Sequence, residues 1–317
     1  MNFSLNTKAP KFVFFGGADF STEVLQYLLE AGWIPSLVIT NKPQPVGRRQ
    51  ILTPSPVFDL AKQRQLPILE VAGLKGGKIV NQIQSTKSPL GILVALGMIV
   101  PPSVINAFPK GIVNVHPSLL PKWRGPSPIQ YSLLNGDDET GVSLMLLDAE
   151  IDHGPVVAQE KVLIEPDETY LELAKRLGEM GAKLLVDKVP DYLSGVIKPQ
   201  TQDHSQATFC KIIKREDGKI DWSRPAREIY NQWRAFTPWP GIYTVWNNKR
   251  LKLLEVAPAE IKSSKPRLVT IDGKRLVIGC GQGCIEVNIL QLEGAKPLSA
   301  ADFVKGHRDL NNARLLV

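Results

Sequence analysis

Short apolar segments alternate with segments of helical periodicity from residue 11 to residue 193. The first apolar segment, 11–15, ends in two glycines and is followed by a helical pattern at 20–29, with Asp19 as its candidate N-cap. The other strand candidates lie at 36–40, 90–96, 112–116, 142–147 and 156–164, and the other helix candidates at 55–65, 76–84 and 167–193. Strands that alternate with helices form a parallel sheet with right-handed crossovers. The sequence therefore predicts an α/β fold with a Rossmann-like N-terminal domain.

A different pattern begins after a polar, non-periodic stretch at 197–208. Short strand-like segments then follow one another, separated by turns that contain Asn, Gly and Lys. They lie at 241–245, 250–256, 268–271, 275–280 and 284–292. This spacing is typical of a small β-barrel of the OB type. We therefore predict a Rossmann-like domain over residues 1–196, a linker over 197–208 and a small β-barrel over 209–317.

The formal net charge of +7 is unevenly distributed over the 317 residues. Residues 1–206 hold 19 Lys and Arg against 20 Asp and Glu, whereas residues 207–317 hold 19 against 11. A basic module beside a nearly neutral one indicates a polyanionic partner, of which nucleic acid is the commonest. On charge alone, the alternative is a basic surface that serves only solubility.

Composition bears on the class of protein and on the cellular compartment. Apolar residues make up 43% and charged residues 22%, as in ordinary globular proteins. The longest apolar run, 90–104, is interrupted by glycines and prolines, so we expect no membrane span. The first ten residues lack the pattern of a secretory signal, and three cysteines do not form a disulfide framework. We therefore expect a cytoplasmic protein.

The glycines do not form a nucleotide-binding motif. Gly16-Gly17 lacks the full G-x-G-x-x-G fingerprint, and no acidic residue follows at the spacing that a ribose needs. Gly125, Gly136 and Gly141 do not fall into a Walker A pattern. Gly16 and Gly17 instead indicate a tight turn between a strand and a helix.

The strand candidate at 112–116 carries the side chains best suited to catalysis. Because side chains alternate along a strand, Asn114 and His116 share one face, while Val113 and Val115 share the other. Ligands of open α/β sheets bind at the carboxyl ends of the strands. Histidine exchanges protons near neutral pH, and an amide N–H stabilises developing oxyanion charge. We therefore predict that Asn114 and His116 are catalytic, against the alternative of a structural histidine in the core.

A catalytic imidazole needs an acidic partner, and the segment 147–154 offers three. Spacing alone does not separate Asp148, Glu150 and Asp152, although Asp152 lies in a turn between two strand candidates. A metal site would use the same residue types. No H-x-x-x-H or C-x-x-C pair accompanies them, so we predict no metal.

Residues 111–128 read GIVNVHPSLLPKWRGPSP, and an Asp-x-Gly sequence beginning at Asp152 follows about thirty residues later. This pattern resembles the signature of the 10-formyltetrahydrofolate-dependent formyltransferases and hydrolases. The resemblance implies that Asn114, His116 and Asp152 form a formyl-transfer site and that the co-substrate is 10-formyltetrahydrofolate. It also implies that the folate contacts are Ser118, Leu119, Leu120, Pro121, Leu96 and Gly97.

The resemblance leaves the formyl acceptor open among methionyl-tRNA, glycinamide ribonucleotide, nucleotide-linked amino sugars and water. Residues 40–56 are similar to the basic loop with which the methionyl-tRNA branch of the family holds the tRNA acceptor end. In that branch the arginine that follows the glycine of the loop is functionally important, which implies a role for Arg48. The basic residues of the matching loop are Lys42, Arg48 and Arg49.

The last third of the chain favours the same branch. Residues 215–222 and 234–241 resemble the opening of its C-terminal β-barrel, and 291–297 and 302–306 resemble its closing motif. Amino-sugar formyltransferases share parts of this module, whereas the ribonucleotide enzymes lack it. The resemblance therefore implies initiator methionyl-tRNA as the partner, bound in part by the basic barrel. We expect the enzyme to be a monomer.

The resemblance also implies a mechanism. Asn114 and protonated His116 stabilise the oxyanion that forms when the amine attacks the formyl carbon, and Asp152 orients the imidazole and helps to remove the amine proton. Two alternatives are an amino-sugar formyltransferase and a tRNA-binding module that has lost its activity. The presence of all three residues, Asn114, His116 and Asp152, argues against the second alternative.

Overall fold

The computed structural model describes residues 9–47, 49–259 and 265–316. The chain forms two compact units, each assembled from more than one stretch of sequence. The first comprises the chain up to residue 128 together with 139–163 and 174–211, and the second comprises 129–138, 164–173 and the chain from 212 onward. Neither unit is therefore a single continuous fragment of the chain.

Most strands of the first unit join in one twisted sheet. The strands described up to residue 164 are β1 (Phe12–Gly16), β2 (Leu37–Asn41), β3 (Gln44–Val46), β4 (Ile51–Thr53), β5 (Ile68–Val71), β6 (Leu90–Val94), β7 (Ile112–His116), β8 (Glu139–Leu146) and β9 (Val156–Leu163). The sheet has the order β5-β2-β1-β6-β7-β8-β9, while β3 and β4 form a separate exposed hairpin. The five strands β5, β2, β1, β6 and β7 run parallel to one another. Strand β8 is antiparallel to both of its neighbours, β7 and β9. This arrangement confirms the predicted Rossmann-like α/β fold.

Helices flank this sheet and bury its central strands. They are α1 (Asp19–Glu30), α2 (Pro56–Gln63), α3 (Gly77–Ser85), α4 (Pro102–Ile105) and the part of α6 (Tyr170–Ser194) from residue 174 onward, whereas α5 (Pro128–Asn135) belongs almost wholly to the second unit. Strands β1, β6 and β7 are buried along their whole length, as expected for parallel strands covered on both faces. One core cluster includes Phe15 and Phe108, whose ring centroids lie 5.9 Å apart.

The turn from β1 into α1 differs in detail from the sequence prediction. Ala18 is the N-cap and Asp19 is the first helical residue, so the predicted cap at Asp19 is wrong. The Ser21 hydroxyl takes over the capping role, because it accepts from the backbone N–H groups of Gly17 and Ala18 at 3.2 Å each. It also donates to Val94 O at 2.6 Å, which joins α1 to the carboxyl end of β6.

The second unit contains an antiparallel sheet. Its strands are β10 (Ile242–Trp246), β11 (Lys249–Ala259), β12 (Val269–Asp272), β13 (Arg275–Gly279), β14 (Cys284–Leu292) and β15 (Leu298–Ser299), and its helices include α7 (Ala226–Phe236) and α8 (Ala300–Gly306). The strand order is β10-β11-β14-β13-β12, with β15 paired to β14. All of these pairs are antiparallel.

The end of the chain connects the two edges of this antiparallel sheet. Leu316 N–H donates to Val245 O of β10 at 2.9 Å, and Val269 N–H of β12 donates to Ala313 O at 3.0 Å. Both edge strands are therefore paired with residues 313–316, which agrees with the predicted small barrel. Within the residues that the structure describes, no helix is long and apolar enough to cross a membrane.

Candidate active site

The crevice beside β1 is where an open sheet of this order places a ligand. Strand β1 lies between β2 and β6, so the chain builds the sheet outward in both directions from it. In such sheets, ligands bind outside the carboxyl ends of the strands, at the point from which the strand order runs in opposite directions. Strand β7 is the neighbour of β6, and its carboxyl end is His116.

Asn114 and His116 share one face of β7, as the two-residue period predicts. Asn114 is 6% exposed and His116 is 4% exposed, so both polar side chains are nearly buried. Val113 and Val115 fill the opposite face and are buried as well. Buried polar side chains need hydrogen-bond partners, and the contacts of these two define the site.

The imidazole of His116 lies between a carbonyl and a carboxylate. Its Nε2 atom is 3.0 Å from Trp123 O, and because a carbonyl oxygen only accepts, Nε2 carries the proton of this bond. Its Nδ1 atom is 3.6 Å from Asp152 Oδ1, which is longer than a good hydrogen bond. The Nδ1 atom therefore faces the carboxylate without a short hydrogen bond to it, so the ring can shift slightly when a ligand oxygen is present.

Asp152 is the carboxylate that joins the site. Its Oδ1 atom is 3.4 Å from Asn114 Nδ2, and its Oδ2 atom accepts from Gly125 N–H at 2.8 Å. Asp148 contacts His153 Nδ1 at 2.7 Å instead, and the Glu150 carboxylate is largely exposed. The structure thus separates three carboxylates that spacing left open, and it brings Asn114, His116 and Asp152 together.

The loop that carries Asp152 is shaped by its backbone. Asp152 has a φ of 49°, a left-handed conformation that Asp adopts more readily than most residues. A Cβ atom at Gly154 would lie 2.0 Å from Leu146 O, and one at Gly125 would lie 2.5 Å from Cys210 O. The two glycines therefore allow the close backbone approaches that bring Gly125 N–H to the carboxylate.

Cys210 is close to the site but is not equipped as a nucleophile. Burial raises the pKa of its thiol to about 11. The thiol therefore stays protonated at neutral pH, and the thiolate is the nucleophilic form. Its Sγ atom accepts from Ser127 N–H at 3.2 Å, which is a structural contact.

The expected folate segment, Ser118 to Pro121, is held by hydrogen bonds within the first unit. Ser118 Oγ donates to Lys122 O, and Ser143 Oγ donates to Ser118 O, both at 2.6 Å. Gln159 Nε2 donates to Leu120 O at 2.8 Å. The hydroxyl of Ser118 is thus engaged inside the loop, and the segment has a fixed shape. A cavity of about 370 Å³ adjoins it, and its lining includes Leu120, Pro121, Gln159 and Gln202.

The other expected folate contacts, Leu96 and Gly97, follow β6. The Leu96 side chain is 2% exposed and belongs to the core cluster, while its carbonyl oxygen accepts from Asn41 Nδ2 at 3.3 Å. Gly97 is exposed and has a φ of 72°. These two positions therefore offer backbone more than side chain to a ligand.

The expected tRNA loop contains the β3–β4 hairpin. Lys42 and Arg49 are exposed, while Arg48 lies outside the described residues. Among the described residues, no group of three or more His, Cys, Asp and Glu side chains is arranged to hold a metal ion.

The sequence assigned no role to two side chains that adjoin the candidate site of Asn114, His116 and Asp152. Arg124 is 4% exposed, and Gln202 is 7% exposed. Gln202 Oε1 accepts from Arg124 Nη2 at 2.7 Å, and Gln202 Nε2 donates to Asp152 O at 2.9 Å. Arg124 was visible in the sequence, because it lies in the segment 111–128 that resembles the family signature. No pattern in the sequence indicated a role for Gln202, because this residue lies in the polar stretch 197–208, which has no periodicity.

Comparisons with known proteins agree with this fold. The family model described as formyl transferase matches residues 10–189, and the model of the formyl transferase C-terminal domain matches residues 212–308. The fold and the side chains at the end of β7 thus define a protein of the one-carbon transferase class. The chain belongs to the formyl transferase family.

Relatives in this family match both parts of the chain. The methionyl-tRNA formyltransferase of Geobacter sulfurreducens is 36% identical over 298 residues, which cover 94% of this chain and 94% of the relative. That of Dehalococcoides mccartyi is also 36% identical, over 96% of this chain and 98% of its own.

Solved structures at lower identity share the fold. HypX from Aquifex aeolicus has a TM-score of 0.65 at 16% identity; the match covers 96% of this chain, which spans about half (51%) of HypX. The N-formyltransferase from Helicobacter canadensis, solved with folinic acid and dTDP-3-aminofucose, has a TM-score of 0.63 at 19% identity. That match covers 88% of this chain and 98% of the other.

Proposed function

We propose that the protein transfers the formyl group of 10-formyltetrahydrofolate to the α-amino group of initiator methionyl-tRNA, which yields formylmethionyl-tRNA for translation initiation. One observation carries this proposal: Asn114, His116 and Asp152 converge at the carboxyl edge of the sheet. The similarity to methionyl-tRNA formyltransferases over 94% of the chain supports this choice of acceptor.

The three side chains divide the chemistry between them. The neutral amine attacks the formyl carbon, the new C–N bond forms, and negative charge develops on the formyl oxygen. In this proposal Asn114 and protonated His116 donate to this oxygen. Asn114 Nδ2 and His116 Nδ1 lie 3.4 Å and 3.6 Å from Asp152 Oδ1, so the three groups adjoin one another. Asp152 orients the imidazole and accepts the amine proton. The tetrahedral adduct then collapses, and N10 of tetrahydrofolate leaves with the proton that Asp152 took from the amine.

The acceptor amine needs little activation. An α-amino group has a pKa of about 7.7–8.0, so a sizeable fraction is neutral at cellular pH. A carboxylate within reach is then a sufficient proton acceptor, and no covalent intermediate on the enzyme is needed. The high pKa of the Cys210 thiol agrees with this direct transfer.

The donor site in this proposal lies on the first unit. Ser118, Leu119, Leu120 and Pro121 form one wall, and the backbone of Leu96 and Gly97 forms another. The internal bonds of the Ser118–Pro121 segment support this role, since a preformed loop loses little entropy when a ligand binds. Both segments follow strands that end at the ligand edge of the sheet.

The tRNA contacts in this proposal come from two places. Lys42, Arg48 and Arg49 contact the acceptor end, and the basic surface of residues 207–317 contacts the phosphate backbone. The catalytic domain over 1–196, the linker over 197–208 and the tRNA-binding barrel over 209–317 remain our functional division of the chain. We further propose that the enzyme works as a monomer in the cytoplasm.

An acceptor assay tests the proposed function. The wild-type protein receives saturating donor labelled in the formyl group, together with charged initiator tRNA or with a nucleotide-linked amino sugar. We expect label on methionyl-tRNA and none on the sugar. Label on the sugar alone would identify an amino-sugar formyltransferase, and label on neither would indicate a binding module without activity.

Substitution of Arg48 tests the acceptor loop. We expect Arg48→Ala to lower kcat/KM for methionyl-tRNA about tenfold and to change the donor affinity less than twofold, because a hydrogen bond to a charged group contributes about 1.5 kcal/mol. Arg64→Ala removes an exposed arginine at the C-cap of α2 and is the matched control. Equal losses for donor and acceptor would show that the loop is structural.

A salt titration tests the charge split. We expect log K for tRNA binding to fall linearly with log of the salt concentration, with a slope of about −0.9 per neutralised phosphate. The full chain is the right sample, because the second unit includes residues 129–138 and 164–173 and is not one continuous fragment. A tRNA affinity that does not change between low and physiological salt would reduce the basic surface to a solubility feature.

A further inference from the structure

Gln202 makes an unusual number of contacts for a residue in an irregular stretch of chain. Its Oε1 atom accepts from Arg124 Nε at 3.2 Å and from Arg124 Nη2 at 2.7 Å. Its Nε2 atom donates to Asp152 O at 2.9 Å and to Gly154 O at 2.8 Å. The four bonds use both lone pairs and both protons of one buried amide.

The chemistry of these partners fixes the orientation of the amide. A guanidinium only donates, so the atom that faces Arg124 is the oxygen. A carbonyl oxygen only accepts, so the atom that faces Asp152 and Gly154 is the nitrogen. A rotation of the amide by 180° would lose all four bonds. The side chain therefore holds two fixed points of the loop between β8 and β9.

These two points flank the carboxylate that faces His116. Asp152 has a left-handed φ of 49°, a conformation that is uncommon for a non-glycine residue, although Asp adopts it more readily than most. Gln202 binds the carbonyl of Asp152 itself, and Gly125 N–H binds its carboxylate Oδ2. The backbone and the side chain of Asp152 are thus fixed by separate partners.

Arg124 connects Gln202 to the other catalytic loop. Its Nη2 atom also lies 2.8 Å from His204 Nδ1, which must accept. The peptide before Arg124 supplies the carbonyl of Trp123, the acceptor for His116 Nε2. Trp123 N–H donates to Thr208 Oγ1 at 2.9 Å, and Arg124 N–H donates to Thr208 O at 2.9 Å. The stretch 202–208 therefore contacts both loops that set the position of His116 and Asp152.

We propose that Gln202 is a positioning residue for formyl transfer. It sets the distance of the Asp152 carboxylate from His116 and Asn114, and Arg124 holds its amide in the required orientation. The effect is on the rate of the chemical step and not on binding of the folate donor. This proposal rests on the proposed function in taking formyl transfer as its readout.

The substitution Gln202→Glu tests this role. Glutamate keeps the shape of the side chain and two acceptors for Arg124, but it places a carboxylate oxygen against the carbonyls of Asp152 and Gly154. We expect kcat to fall about 30-fold or more, because small misplacements of catalytic groups cost up to about 100-fold. The KM and Kd for the folate donor should change less than threefold, whereas the melting temperature should fall, because two carbonyl oxygens lose their buried donor.

Gln200→Glu is the matched control. It makes the same chemical change two residues away, at an exposed side chain whose Nε2 atom donates to Lys198 O. We expect its kcat to remain within twofold of the wild type. If Gln202→Glu does not fold, Arg124→Lys replaces it. Lysine keeps the charge but does not grip the amide oxygen with two N–H groups, and we expect a loss in kcat of about tenfold.

Two results would overturn the positioning role. One is a folded Gln202→Glu variant, or its Arg124→Lys substitute, that keeps wild-type kcat per folate-binding site. The other is a loss of kcat that comes with an equal fold-loss in folate affinity, which is the signature of a purely structural residue. If the wild-type enzyme formylates an amino sugar and not methionyl-tRNA, the proposed function fails, and the same kcat ratio is measured with that acceptor. A wild-type enzyme inactive on both acceptors would overturn both proposals.

Discussion

Asp152→Asn is expected to lower the turnover number about 100-fold or more, while affinity for the folate donor should change less than about threefold. The substitution removes the negative charge that faces His116 Nδ1 at 3.6 Å and the group that accepts the amine proton. Asparagine still offers an oxygen to Gly125 N–H, which the wild-type carboxylate accepts at 2.8 Å, so the loop keeps its main support. Steady-state kinetics with initiator methionyl-tRNA, together with equilibrium binding of the donor, measure the two effects separately.

Asp148→Asn is the control for this prediction. Asp148 lies four residues earlier in the same turn, and its carboxylate contacts His153 at 2.7 Å and not His116. We expect turnover within threefold of the wild type. If Asp148→Asn is as damaging as Asp152→Asn, the effect belongs to the charge or fold of the turn. If Asp152→Asn keeps normal turnover, the assignment of Asp152 is wrong.

Asn114→Ala is expected to lower kcat by 100-fold or more, which corresponds to about 3 kcal/mol of lost transition-state stabilisation. The side chain is 6% exposed, and its Nδ2 atom has a second N–H beyond the one that faces Asp152 at 3.4 Å. That second donor is the one we assign to the oxyanion. Because the ground-state carbonyl carries little charge, KM for both substrates should change far less than kcat. An effect confined to KM would show that Asn114 binds substrate and does not stabilise the transition state.

The local pattern of β7 could be predicted because it depends on backbone geometry alone. Side chains two residues apart on a strand share a face, and the alternation of Asn114 and His116 with two valines fixes which face is polar. The strand's place at the ligand edge followed from the alternation of strands and helices. The polar face of β7, for which we propose a catalytic role, could therefore be predicted before any tertiary contact was considered.

The choice of Asp152 among three carboxylates depends on tertiary contacts. Asp148 and Asp152 lie four residues apart in one loop. Only packing decides that Asp148 contacts His153 and that Asp152 faces His116. Family resemblance favoured Asp152, whereas spacing gave no preference. The distances that decide the matter join residues 36 to 38 positions apart in the chain.

Gln202 shows the limit of periodicity as a signal. A polar stretch without a two- or 3.6-residue repeat is read as a connecting segment. Gln202 is nevertheless buried, because its amide satisfies two carbonyls 50 and 48 residues earlier and a guanidinium 78 residues earlier. No local rule links these positions. The composition of the second unit from three stretches of chain escaped a linear reading for the same reason.

The most direct measurement follows the labelled formyl group to its product. Wild-type enzyme and Asp152→Asn are mixed in single-turnover experiments with labelled 10-formyltetrahydrofolate and charged initiator tRNA, and the amino acid is then released from the tRNA by base. We expect N-formylmethionine carrying the label with the wild type, formed at least about 100-fold more slowly with the variant. Label that stays on the donor with the wild type, or that reaches methionine equally fast with the variant, would contradict formyl transfer at the Asn114, His116 and Asp152 site.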